Sequence, residues 1–194
     1  ANYMKAELTE QGSADHWIQR VAYPPIGWTF DGKTSRPDAG DLSVGFGDTP
    51  FALSSMSLET QDIPPHVRIG WLRSVACLNN GFALGSFVDE LAVKAGLSTQ
   101  QMWMNLLGKD RYVDPKAEGG FDYSNYGLSF DTHPIDIARI KHCIRHVCDK
   151  AGVTDNTSNN EGWGIGFLRS FGSYVAAATK VRVKNNKLTI LEMH

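Results

Sequence analysis

The run Gly70-Trp-Leu-Arg-Ser-Val-Ala-Cys-Leu-Asn-Asn-Gly-Phe-Ala-Leu-Gly-Ser-Phe-Val-Asp-Glu-Leu-Ala92 passes from an extended apolar segment into a helix. Within it Phe82, Leu84, Phe87, Val88 and Leu91, followed by Ala95, recur at helical spacing, and Gly96 falls where a C-terminal cap belongs. The pattern predicts a helix over 79–95. Ser98 can cap a second helix with Met102, Trp103 and Leu106 on its buried side, ending near Gly108. Upstream, Phe51-Ala-Leu-Ser-Ser-Met-Ser-Leu58 and Val67-Arg-Ile-Gly-Trp71 read as two short strands separated by Pro64-Pro65.

Farther out, strand signals open and close the chain. Tyr3 to Leu8 and Asp15 to Tyr23 form a hairpin around Gln11-Gly12-Ser13. Gly164 to Phe171, Tyr174 to Val183 and Leu188 to Met193 read as strands, the last two joined by Asn185-Asn186. Between them, Pro134 suits a first helical turn, and Ile137, Ile140, Ile144 and Val147 form the clearest amphipathic stripe, closed by Gly152. Residues 24–50 and 109–132 lack either hydrophobic period and read as long surface loops, and a polar run from Thr154 to Glu161 precedes the C-terminal strands. Strands at both ends with helices in the middle imply an α+β fold: one domain over 1–194, a two-layer unit with a mixed β-sheet, built from the N-terminal and C-terminal strands together, covered by about three helices.

Composition narrows the function classes. Lys plus Arg total 19 against 21 for Asp plus Glu, without runs, so no basic face points to nucleic acid. No apolar run reaches the roughly 20 residues of a membrane span. Cys77, Cys143 and Cys148 are odd in number and lack CxxC spacing, which suits reduced thiols.

Few residues could carry chemistry. Arg73 is the lone charge in an apolar run. It is either salt-bridged to Asp89 or Glu90, or presents its planar fork to a ligand. His142 and His146 have the spacing of a metal pair but lie opposite the isoleucine stripe, facing solvent, so no metal site is expected. Gly164-Ile-Gly166 lacks the third glycine and the helix of a phosphate loop and suggests close backbone packing. Asp89-Glu90 point about 100° apart on a helix and suit capping or solvation. Trp71, Trp103 and Trp163 sit beside expected core positions.

The Arg73-Ser-Val75 turn, followed by Asn80-Gly-Phe82 and Ser86-Phe-Val-Asp-Glu-Leu-Ala92, resembles the signature of the isoquinoline 1-oxidoreductase large subunit, in the xanthine dehydrogenase and aldehyde oxidase family. Pro50-Phe-Ala-Leu53 and Gly164-Ile-Gly-Phe-Leu-Arg-Ser-Phe-Gly-Ser-Tyr-Val-Ala176 resemble two further stretches in the family's order. The resemblance implies an internal fragment of a molybdopterin-binding subunit that hydroxylates an N-heterocycle or aldehyde with oxygen from water. It implies a molybdenum–molybdopterin dinucleotide cofactor and a two-iron, two-sulfur small subunit as partner, in bacterial cytoplasm or periplasm. Arg73 would be the catalytic residue at the metal. Leu72, Ser74, Val75, Leu168, Ser170, Phe171 and Gly172 would line the cofactor or substrate pocket.

The family's pterin-contacting Gly-Gln-Gly and its late Gly-x-Gly-Glu base are absent, and Glu90, Glu161 and Glu192 stand in other contexts. The isolated chain is therefore expected to be inactive and to hold no molybdopterin tightly. Gly85, Ser98-Thr99 and Lys180 also depart from the family pattern. The competing expectation is a stand-alone binding domain that uses loops 24–50 and 109–132 as its surface.

Overall fold

A computed structural model describes residues 1–119, 121–154 and 160–194. Its elements run β1 (Asn2–Leu8), β2 (Ala14–Ala22), α1 (Trp28–Asp31), α2 (Ala39–Leu42), β3 (Ser55–Gln61), α3 (Cys77–Ala95) and α4 (Thr99–Leu107). There follow β4 (Tyr112–Val113), α5 (Pro115–Gly119), β5 (Ile135–Asp136), α6 (Ile137–Ala151), β6 (Glu161–Ser170), β7 (Ser173–Lys184) and β8 (Lys187–Met193). The fold is α+β and includes a mixed sheet of order β1-β2-β3, in which β2 runs antiparallel to β1 and parallel to β3.

Local signals set the helices. Gly96 and Gly152 take left-handed conformations at the ends of α3 and α6, and the Ser98 hydroxyl accepts from Gln101 N at the start of α4. Pro134 stands outside the helix that its position suggests it begins: Asp136 is the cap and accepts from Arg139 N at 3.2 Å. Pro134 instead offers its carbonyl to the Tyr174 hydroxyl at 2.6 Å. Asp136→Ala is expected to lower stability by about 1 kcal/mol, the usual worth of such a cap, measured as a lower urea midpoint with an unchanged slope.

The C-terminal strands form their own antiparallel sheet, β6-β7-β8, and do not join β1-β2-β3. Helix α3 packs on both β1 and β6, while α4 and α6 also cover β6, so the helices link the two sheets. An aromatic chain crosses the interior: Trp17 meets Phe51 at 5.4 Å, Phe51 meets Trp103 at 5.7 Å and Trp103 meets Phe167 at 6.3 Å, all edge to face. The isoleucine stripe of α6 is fully buried in the same core.

Other expectations shift. The strand expected over 51–58 lies at Ser55–Gln61, and 67–71 has no regular structure. The stretch 24–50 is surface only in its first part, because residues 43–50 are buried. Their polar groups find partners inside: Gly45 N donates to Asp48, and the Thr49 hydroxyl donates to Phe46 O. Within 109–132, Val113, Pro115, Tyr123 and Asn125 are buried as well. Phe82 and Trp71 are exposed, against expectation, whereas Trp103 is fully buried and Trp163 partly so. In the polar run from Thr154 to Glu161, positions 155–159 lie outside the described residues. No helix among the described residues is long and apolar enough to cross a membrane.

Candidate functional site

The turn leading into α3 is held in a costly conformation. Val75 N donates to Leu72 O at 3.1 Å and Cys77 N to Ser74 O at 2.9 Å. Ser74 and Val75 adopt φ of 66° and 47°. For β-branched Val75 this is a true outlier, costing on the order of 1–3 kcal/mol that surrounding contacts must offset. Arg73 projects from this turn into solvent, with no hydrogen bond or ion pair among the described residues. It does not pair with Asp89 or Glu90. Asp89 instead accepts from the Thr99 hydroxyl.

The β6–β7 hairpin reaches the same region. At its tip Phe171 takes φ of 50°, uncommon for a non-glycine residue, and Gly172 takes 76°, which glycine adopts freely, between the paired residues Ser170 and Ser173. Ser170 Oγ lies 3.8 Å from Cys77 Sγ at the start of α3. Leu168 packs against a small cluster of Val44, Ala76 and Cys77. That approach needs Gly81, where a Cβ would stand 3.3 Å from Leu168 Cδ1. Phe171 is exposed on one side and stacks on Tyr126 at 4.8 Å, and Asn125 and Tyr126 themselves take φ of 50° and 58°. Three strained turns, at 74–75, 125–126 and 171–172, therefore frame one patch.

The residues expected in a pocket distribute unevenly around it. Leu72 and Val75 line a cleft of about 230 Å³ with Tyr23, Ile26, Asp41 and Ile69. Leu72 also borders an open groove of about 1030 Å³ between Trp28 and Trp71. Leu168 lines a separate small cavity, and Ser170 meets the patch through Cys77. Burial pushes the Cys77 thiol up to about 11, which favours the thiol over the thiolate at neutral pH.

Beneath the hairpin sits a polar core that the sequence motifs do not reveal. Arg169, 6% exposed, donates from Nη1 to the Tyr123 hydroxyl and from Nη2 to Asn125 Oδ1, both at 2.8 Å. Nη2 also donates to the His133 carbonyl at 3.2 Å. Asp48 is buried nearby, and desolvation raises its carboxyl to about 7 despite the Gly45 N–H and the Arg169 charge, which act the other way. One sequence signal was available: Arg169 shares the parity of buried Ile165 and Phe167 and so faces inward on β6. For Asp48, set among glycines in an aperiodic stretch, there was none.

The remaining candidates resolve simply. His142 and His146 are exposed on α6, as their position opposite the stripe implies, and stack at 5.9 Å. The expected close packing at Gly164-Ile-Gly166 is absent, because a Cβ at Gly166 would meet nothing within 4 Å and one at Gly164 only Thr179 O at 4.0 Å. Lys180, an outlier against the family pattern, pairs with Glu161 at 3.3 Å.

No family model matches the chain. Among solved structures, the aldehyde oxidoreductase of Desulfovibrio gigas is similar over 86% of this chain and 17% of that one, with 17% identity and a TM-score of 0.45. Among curated proteins, a nicotinate dehydrogenase subunit of Pseudomonas putida is 34% identical over 65 residues. That match covers 34% of this chain and 6% of the relative's length.

Proposed function

We propose that this chain is part of a molybdenum-dependent hydroxylase, a subunit of the xanthine dehydrogenase and aldehyde oxidase type. The observation that carries the reading is Arg73: an arginine without an ionic partner among the described residues, on a turn with two non-glycine residues at positive φ, in the sequence context of the family's Arg-Ser-Val motif. Strain of this kind gathers where a backbone must hold a side chain for a task. The similarity to the nicotinate dehydrogenase subunit supports the same assignment, and the substrate we propose is an N-heterocycle or aldehyde.

The residues present fit one wall of such a site. The chemistry that a molybdopterin supplies there is hydroxylation of an activated carbon, with oxygen drawn from water. Arg73 contributes a fixed positive charge and a fork of donors toward charge developing on the substrate. Leu72 and Val75 form an apolar side of the cleft, and Ser74 sets the turn. The hairpin from Leu168 to Gly172 backs the turn through Ala76 and Cys77. The missing pterin-contacting and base motifs would come from other parts of the parent, whose cofactor we take to be a dinucleotide and whose electron acceptor a two-iron, two-sulfur subunit. Within the family, the quoted motifs favour the isoquinoline 1-oxidoreductase branch.

Arg73→Lys in the intact parent tests the reading. Lysine keeps the charge and loses the planar fork, so turnover is expected to fall roughly 30- to 1000-fold, the effect of removing one preorganised donor. The melting temperature should stay unchanged, because Arg73 has no partner to lose among the described residues. Near-normal turnover of the variant would overturn the proposal.

A further inference from the structure

Two charged side chains that the proposed chemistry does not use, Asp48 and Arg169, line one small cavity together with Trp103. They make no direct ion pair. The terminal nitrogens of Arg169 are taken by Tyr123, Asn125 and His133, leaving Nε buried without an acceptor. Trp103 Nε1 is likewise buried and unpartnered. We propose that this cavity is a binding site for a single internal water, which accepts from Arg169 Nε and Trp103 Nε1 and donates to the Asp48 carboxylate. Asp48 thereby serves as the counter-ion of Arg169 through solvent.

Size, donors and charge agree. The cavity measures about 20 Å³. A water needs roughly 10–15 Å³ and two to four polar partners, and three are available here. A cation would face an arginine and an indole N–H, while an anion would face the carboxylate; only a molecule that both accepts and donates suits all three groups. The other titratable groups coupled to Asp48 are Cys77 on α3 and Tyr123 and Tyr126 on the segment before β5. Burial pushes the thiol up to about 11 and Tyr126 up to about 12, and raises Tyr123 further still, so all three are neutral at pH 7. Arg169 is thus the one charge in this group that can balance Asp48. The bridge would tie the buried 45–49 loop to the strand that carries the hairpin, whatever that hairpin's role.

Nuclear magnetic resonance on the unaltered chain provides the test. Water-selective cross-relaxation should reach the Trp103 indole proton and the Arg169 Nε proton. Both resonances should also shift together with pH, with a shared midpoint near neutrality that disappears in Asp48→Asn. Absence of the water cross-peaks would overturn the site even if the variant fails to fold. A neutral-range titration of the Trp103 proton that survives in Asp48→Asn would overturn Asp48 as the group that the water serves.

Discussion

Arg169→Ala is expected to destabilise the fold by about 3–5 kcal/mol, the cost of removing one member of a buried, hydrogen-bonded charge cluster. The substitution deletes the donors to the Tyr123 hydroxyl, Asn125 Oδ1 and the His133 carbonyl; the carbonyl keeps Asn125 Nδ2 as a donor, whereas buried Asn125 Oδ1 loses the Arg169 N–H. It also removes a charge that lowers the Asp48 carboxyl, which is expected to rise further above its ordinary value. The sign of the resulting pH effect follows from linkage. In the folded chain Asp48 binds its proton up to about pH 7, whereas unfolded it releases it near 3.8. Its contribution to stability therefore falls as pH rises through that window and levels off above it. In Arg169→Ala the decline should continue to higher pH. Urea unfolding at several pH values measures both effects. A loss under about 1 kcal/mol would show that the cluster is not coupled as described.

A comparable loss, about 3–5 kcal/mol, is expected for Trp103→Ala. Trp103 is fully buried on α4 and meets Phe51 from the loop before β3 and Phe167 on β6 edge to face. Alanine there removes both ring contacts and leaves a void in the shared core that the surrounding elements can close only in part. Thermal and denaturant unfolding should agree on the loss. Trp103→Phe keeps most of the ring area and removes the indole N–H, so it should cost much less. If the alanine variant melted within a few degrees of the parent chain, the aromatic chain would not be the joint between the sheets that its geometry suggests.

Much of the local structure was legible in the residues themselves. The β1–β2 hairpin, the apolar faces of α3, α4 and α6, the Ser98 cap, the glycine stops at Gly96 and Gly152, and the Asn185-Asn186 turn with φ of 52° and 57° all depend on neighbours a few positions apart. The turn bearing Arg73 was legible as an oddity, a lone charge in an apolar run, and the parity of Arg169 could have been read from β6. Only the tertiary structure decided the rest. It set β3 parallel to β2, kept β6–β8 as a separate sheet, turned Phe82 outward and drew residues 43–50 inside to place Asp48 near Arg169. These outcomes depend on contacts between residues far apart in the chain. Period, caps and turn chemistry state which face of an element is apolar, but not which distant face will cover it, nor which buried charge will meet which partner.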